Sequence, residues 1–353
     1  MSGHRESGRR VAVVSGSMGA GHDGAARELV RELTEAGYAT EFHDFLDLLG
    51  PRAGRALRAL YARQLSIAPR SWGWLLASLG RYAFLNEGLA GLFGRAAARR
   101  TRAVLGTDLY AVVSTYPLAS QALGRLRRRG ELTAPVVTFL TDLSVHPLWV
   151  APGVDLHLAL HEVAADEARA RGAGRVDVVR PLVSAAFVEP VPTALDVEGP
   201  VALIVAGSWG VGEVAEAAAE IAATGLATPV TVCGHNAALR RRIAAAGTGV
   251  ALGWVTDMPG LVRAAGVVVQ NAGGLTSLEA MAAGVPVLSY RCLPGHGTTN
   301  AAALDRAGLA RWVRSPAGLG PALRTALADG PPPAVGRLFA GTPAVAALKA
   351  LVS

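Results

Sequence analysis

Short apolar runs alternate with alanine-rich stretches of helical period along most of this chain. VAVVSG at 11–16 precedes a helical pattern over 25–36 and then YATEFHDF at 38–45; YAVVST at 110–115, APVVTFLTD at 134–142 and VDLHLALH at 154–161 follow. Such alternation predicts a parallel sheet with crossover helices. From Val188 to Pro200 the chain is rich in proline and loses its period, and a fresh run, VALIVAG, begins at Val201. The alternation then repeats through TPVTVCG, GVALGWV, AGVVVQNA and GVPVLSY. The pattern therefore predicts an α/β protein of two doubly wound domains, 1–187 and 201–333, with a linker at 188–200. Residues 334–353 read as a final helix too small to be a domain.

Composition narrows the class. Of 353 residues, 51% are hydrophobic and 17% charged, as in a well-packed globular protein. The most apolar stretch, Trp72 to Phe93, is broken by Arg81, Asn86 and Glu87, so no bilayer-spanning run is expected. It suits a helical surface for a membrane acceptor as well as it suits ordinary core helices. The charged start leads into a short strand rather than a signal-peptide apolar region, which predicts a cytoplasmic protein, peripheral on the inner face of the cell membrane. Cys233 and Cys292 have no paired spacing, so neither a disulfide nor a cysteine metal site is expected. The net charge is +7, carried almost wholly by arginine, with clusters at Arg52, Arg55 and Arg58, at Arg125–Arg129 and at Arg240–Arg242. No nucleic-acid module accompanies them, and solvated helix faces or attraction to anionic lipid head groups account for them better.

Three loops could carry chemistry. SGSMGAGHDGAA (15–26) lies between the first strand and the first helix, where open α/β sheets bind ligands. Gly19, Gly21 and Gly24 spell GxGxxG there, which raises a dinucleotide reading, but His22 contributes nothing to a pyrophosphate site and is placed to take a proton near neutral pH. The second loop opens QNAGGLTSLEAMAAGVPVLSY (270–290): Gly273 and Gly274 admit a ligand to the backbone, and Thr276 and Ser277 are expected to cap the helix. Its N-terminus favours a diphosphate without a metal, and Glu279, one turn in, could accept both hydroxyls of a ribose. Gly207 and Ser208 form a further glycine turn in the same domain. The third, TFLTDLSVHPLWV (138–150), gathers Asp142, His146, Pro147 and Trp149 after a strand.

Together GSMGAGHDGAA, TYPL, TDLSVHPLW, CGHN, GWVTDM, NAGGLTSLEAMAAGVPVL and PGHGTTNA resemble, in order, the monogalactosyldiacylglycerol synthase and processive diacylglycerol glucosyltransferase family, related to the peptidoglycan N-acetylglucosaminyltransferase. The resemblance implies a GT-B fold: two Rossmann-like domains facing across a cleft, the first for the acceptor, the second for a UDP-sugar, with the C-terminal helix packing back on the first. It implies an inverting transfer of a hexose to a diacylglycerol-like lipid or other membrane-surface acceptor, with no cofactor beyond the co-substrate UDP-sugar, no metal and no nucleic-acid partner. By motif position His22 is the general base, with Asp142 next in line. Gly21, Tyr116, Pro117, His146 and Trp149 face the acceptor. Gly207, Ser208, Gly273, Gly274, Thr276, Glu279, His296 and Asn300 serve the donor, and the backbone at Trp254 and Val255 reads uracil. Two departures stand out: PGHG at 294–297 replaces the usual PGQE, and Asn271 stands where many relatives carry lysine. Rival readings are a UDP-N-acetylglucosamine 2-epimerase-like enzyme, a catalytically silent nucleotide-sugar-binding protein and an NAD-dependent enzyme.

Overall fold

The computed structural model describes residues 8–352 except 18–19, 51, 58, 60–87, 89–90, 92–94, 96, 98–99, 107 and 190–194. The stretch from Trp72 to Phe93 lies outside the described residues apart from Gly88 and Gly91, as do Gly19 and Arg58. Two compact units emerge, one holding the described residues up to Leu182 together with 340–352, the other running from Val183 to Phe339.

In the first unit the strands are β1 (Arg10–Ser15), β2 (Ala39–Asp44), β3 (Ala111–Ser114), β4 (Val136–Phe139), β5 (Leu156–Ala159) and β6 (Val176–Val178). They form one parallel sheet in the order β2-β1-β3-β4-β5-β6. Every residue of β3, β4 and β5 is buried, because helices cover both faces, and this is why these strands are written as continuous apolar runs. Its helices include α1 (Ala20–Glu35), α2 (Phe45–Leu48), α3 (Pro117–Arg128) and α4 (Glu162–Ala170). The strand order reverses between β1 and β3, since β1 leads to β2 on one side and the chain then returns to β3 on the other.

The second unit comprises β7 (Val201–Val205), α5 (Val214–Thr224), β8 (Thr228–Val232), α6 (Ala237–Ala246), β9 (Val250–Leu252), α7 (Met258–Arg263), β10 (Val267–Gln270), α8 (Leu275–Ala282), β11 (Val287–Tyr290), α9 (His296–Arg306), β12 (Arg311–Val313), α10 (Leu319–Asp329) and α11 (Pro333–Phe339). The parallel order β12-β11-β10-β7-β8-β9 reverses between β7 and β10. Ile204, Val269, Leu288 and Tyr290 project from this sheet onto Val214 and Ala217 of α5 and Leu319 and Leu323 of α10, making its main core. Burial of each such aliphatic side chain is worth about 1.5–3 kcal/mol.

Three boundaries differ from the sequence expectation. The first helix begins at Ala20 rather than Ala25, so Gly21, His22 and Gly24 belong to a helix and not to a loop. The single helix expected over 334–353 is two: α11, and α12 (Ala344–Val352), which packs against α1 and β5 of the first unit. Gly341 and Pro343 interrupt the period between them. Third, the second unit begins at Val183, ahead of the expected linker, because a 3₁₀ turn at Ala185–Phe187 packs on α7, where Arg263 Nη1 donates to the Ala186 carbonyl at 2.6 Å.

Candidate active site

In open α/β sheets ligands bind beyond the carboxyl ends of the strands, at the reversal of strand order. In the first unit that point brings His22 and Thr115 together. His22 Nδ1 lies 2.9 Å from the Thr115 carbonyl oxygen, and Thr115 Oγ1 donates back to the His22 carbonyl at 3.2 Å. A carbonyl can only accept, so Nδ1 carries the proton of the neutral ring and Nε2 is its basic nitrogen. The imidazole is half-buried, edge-on to Tyr116 with centroids 5.3 Å apart and tilted against Trp149 at 5.8 Å.

The surroundings hold this ring in place. Asp23, next to it in α1, accepts from Ser15 Oγ at 2.6 Å and Ser17 Oγ at 3.0 Å, pinning the first helical turn to the end of β1. Tyr116 is the N-cap residue of α3, in extended conformation, with Pro117 opening the helix. A Cβ on Gly16 would stand 2.5 Å from the Tyr116 ring, so only glycine lets the ring lie against the turn after β1. Beneath it the buried hydroxyls of Thr138, Ser120 and Ser114 donate in series at 2.9 and 3.0 Å and end on the Tyr116 carbonyl at 2.8 Å. Asp142 is buried beside Thr141, whose hydroxyl lies 3.4 Å from both Asp142 Oδ2 and His22 Nδ1. His146 spends its Nδ1 on the Leu148 backbone amide at 3.2 Å, as the cap of the Pro147–Trp149 turn, and Gln121 Nε2 holds that turn through the Leu148 carbonyl at 2.8 Å. Gly21, His22, Tyr116, Asp142 and Trp149 thus gather at one end of the sheet. Thr115 and Thr141 complete the group: each opens a quoted motif, TYPL and TDLSVHPLW, but neither is named there as a site residue, because their roles come from a backbone carbonyl and a neighbouring hydroxyl.

The second unit repeats the arrangement at its own reversal. Gly207 and Gly210, with φ of 66° and 55°, turn the chain after β7, and the Ser208 carbonyl accepts from the His235 amide at 3.0 Å. His235 stacks flat on Trp254, with centroids 4.4 Å and planes 7° apart, and Trp254 is 55% exposed beside the half-buried Val255. After β10, helix α8 starts at Leu275 with Gly274 as its N-cap residue and no side-chain cap. The caps expected of Thr276 and Ser277 do not form: both lie inside the first turn, where Ser277 Oγ donates backward to the Gly273 carbonyl at 2.8 Å. The N-terminus of α8 therefore has no side-chain cap.

Glu279 is half-buried, with no hydrogen-bond or ion-pair partner among the described residues, and burial pushes its carboxyl up to about 8. A desolvated carboxyl with open valences is suited to receive hydroxyl donors. His296 opens α9 behind Gly295, and Asn300, one turn on, is fully buried. Among the described residues no group of three His, Cys, Asp or Glu side chains is arranged to hold a metal ion, and no single helix is long and apolar enough to cross a membrane.

Comparison with known proteins gives this geometry a context. Residues 22–179 match the family model of monogalactosyldiacylglycerol (MGDG) synthase. The processive diacylglycerol beta-glucosyltransferase of Bacillus subtilis (strain 168) is 24% identical over 312 residues, 83% of this chain and 80% of its own. Among solved structures, Acinetobacter baumannii MurG superposes with a TM-score of 0.55 at 17% identity, covering 98% of each chain. Medicago truncatula UGT71G1, complexed with UDP-glucose, gives 0.58 at 13% identity over 100% of both. The chain is therefore a glycosyltransferase of GT-B fold that resembles the monogalactosyldiacylglycerol synthase and processive diacylglycerol glucosyltransferase family.

Proposed function

We propose that this chain is an inverting, metal-independent transferase that moves a hexose from a UDP-sugar to a diacylglycerol-like lipid or another membrane-surface acceptor, working in the cytoplasm as a peripheral protein of the inner face of the cell membrane. The observation that carries the reading is the His22–Thr115 bond, which fixes the imidazole as the tautomer with a basic Nε2 at the ligand-binding end of the first sheet. In the reaction Nε2 takes the proton of the acceptor hydroxyl as its oxygen bonds to the anomeric carbon from the face opposite UDP. The bond from that carbon to the β-phosphate oxygen breaks, and the electron pair leaves with UDP. The uncapped amides of α8 and the backbone of the Gly207 turn meet the developing charge. Glu279 accepts the ribose hydroxyls, and the exposed turn at Trp254 and Val255 holds the base. The relatives' names, and the UDP-glucose in the UGT71G1 structure, support the choice of lipid acceptor and donor.

The test is to incubate purified protein with a panel of UDP-sugars and a total lipid extract of the source organism, following UDP release and new glycolipid by mass spectrometry. Turnover that persists in EDTA with an inverted anomeric configuration is expected. Loss of activity on chelation, restored by magnesium or manganese, rejects the metal-free mechanism. UDP-sugar binding without any transfer would leave a silent binding protein.

A further inference from the structure

Sequence reading gives Asn271 a negative role, a neutral side chain where many relatives place lysine before the glycine pair. In the structure it has a positive one. Asn271 directly follows β10, at the reversal of strand order in the second unit. Its Nδ2 donates to the Val211 carbonyl at 2.8 Å, joining the β10–α8 loop to the β7–α5 loop. Its own carbonyl accepts from the Leu293 amide at 2.8 Å, joining the β11–α9 loop to both.

The loops have been thinned to meet there. A Cβ on Gly212 would stand 2.6 Å from Asn271 Nδ2, and one on Gly297 would stand 2.6 Å from the Asn271 carbonyl oxygen. The β11–α9 loop is also braced at its start by Arg291, which holds a left-handed backbone at φ 46°. Its Nε bonds Glu220 at 2.7 Å, and Nη1 bonds Glu213 at 2.5 Å, both on or beside α5. A lysine would hold a diphosphate as a point charge on a flexible stem. An amide bonded across three loops instead fixes where their backbone donors stand, so that less order has to be gained when a ligand binds.

We propose that Asn271 is a positioning residue for the donor: it holds the 207–213 turn and the 293–297 turn in one register, so that fixed backbone groups take over the task of a cation at the diphosphate and the sugar. This rests on the reading of the second unit as the UDP-sugar site. Trp254, in the turn after β9, meets the 207–213 turn at one remove, through His235, whose amide bonds the Ser208 carbonyl and whose ring stacks on Trp254, so base recognition depends less directly on Asn271.

The experiment is calorimetric titration of the full chain with UMP and with UDP-glucose, on wild type, Asn271→Ala and Asn271→Leu, the last keeping the branched side-chain shape without a donor. UDP-glucose affinity should fall at least about tenfold in both variants, the scale of a lost, partly buried hydrogen bond and its dependents, while UMP affinity stays within about twofold. Wild-type affinity for UDP-glucose in either folded variant overturns the proposal, as does a parallel loss of UMP and UDP-glucose. Should the alanine variant not fold, the leucine variant decides; if neither folds, Asn271 is a structural brace and the proposal is wrong. A wild-type chain that binds neither ligand rejects the donor-site reading itself.

Discussion

His22 Nδ1 and the Thr115 carbonyl oxygen, 2.9 Å apart, join the first turn of α1 to the end of β3 across the point where the first sheet reverses its strand order. One bond thereby sets both the tautomer and the direction of the imidazole. The same economy recurs in the second unit, where Asn271 and Val211 join the loops after β10 and β7.

His22→Ala should lower the maximal rate by roughly 10²–10⁴-fold, the usual worth of a positioned base, while leaving UDP affinity unchanged because Glu279 and the Gly207 turn belong to the other unit. Turnover and UDP binding measured on the same folded protein decide it. Near wild-type turnover would pass proton removal to Asp142.

Glu279 couples binding to stability with opposite signs. Its carboxyl, pushed up to about 8 by burial, is an ordinary carboxylate when unfolded, so the folded state binds more protons between about pH 4.5 and 8 and loses stability as pH rises through that window. Glu279→Gln should therefore raise Tm at pH 8 relative to wild type by a few degrees, roughly the effect of 1–2 kcal/mol, and lower UDP affinity by about tenfold or more. Thermal melts and titrations at pH 6 and pH 8 would reveal a Glu279 that faces solvent, since neither quantity would then change.

His157, in the middle of β5, is buried to 1% exposure, and desolvation depresses its imidazole to about 4. The unfolded chain takes up this proton near pH 6.5 and the folded chain does not. The contribution is present above about pH 6.5 and is lost as pH falls toward 4, up to roughly 3 kcal/mol over the window. Denaturant titrations of wild type and His157→Leu at pH 7 and pH 5 should show the variant losing less of its stability on acidification.

Leu348 of α12 is 2% exposed, and α12 packs on α1 and β5, with the backbone amide of Arg180 donating to the Thr342 carbonyl at 2.9 Å just ahead of the helix. Leu348→Ala should cost about 2–5 kcal/mol, the range for truncating a buried leucine. Urea unfolding is the measurement, and a change below about 0.5 kcal/mol would mean that α12 adds little to the first unit.

The sequence by itself determined most of the sheets. Continuous β-branched runs such as VAVV, VVTF and VVVQ can be satisfied only where both faces are covered, so strand identity, parallel pairing and a doubly wound class follow from burial alone. The strands that the pattern did not announce, β6 and β12, are three-residue edge strands reading VDV and RWV, too short and too exposed for an apolar run. The motif residues were legible because glycine, histidine and a lone helix glutamate are informative types. What they do there was not. Three glycines argue for a loop around His22, yet bonds from Ser15 at the end of β1, Ser17 just beyond it and Thr115 just after β3 hold Gly21 to Gly24 in a helix against their propensity. Thr276 and Ser277 have the chemistry of caps, but the helix begins between them and Gly274, turning the Ser277 hydroxyl back onto the Gly273 carbonyl. Asn271 reads in the sequence as a missing charge; in the fold three loops close on its amide and carbonyl. Periodicity is local and survives in one dimension. Bonds to backbone groups far along the chain carry no residue-type signature, so only the folded structure decides where they fall.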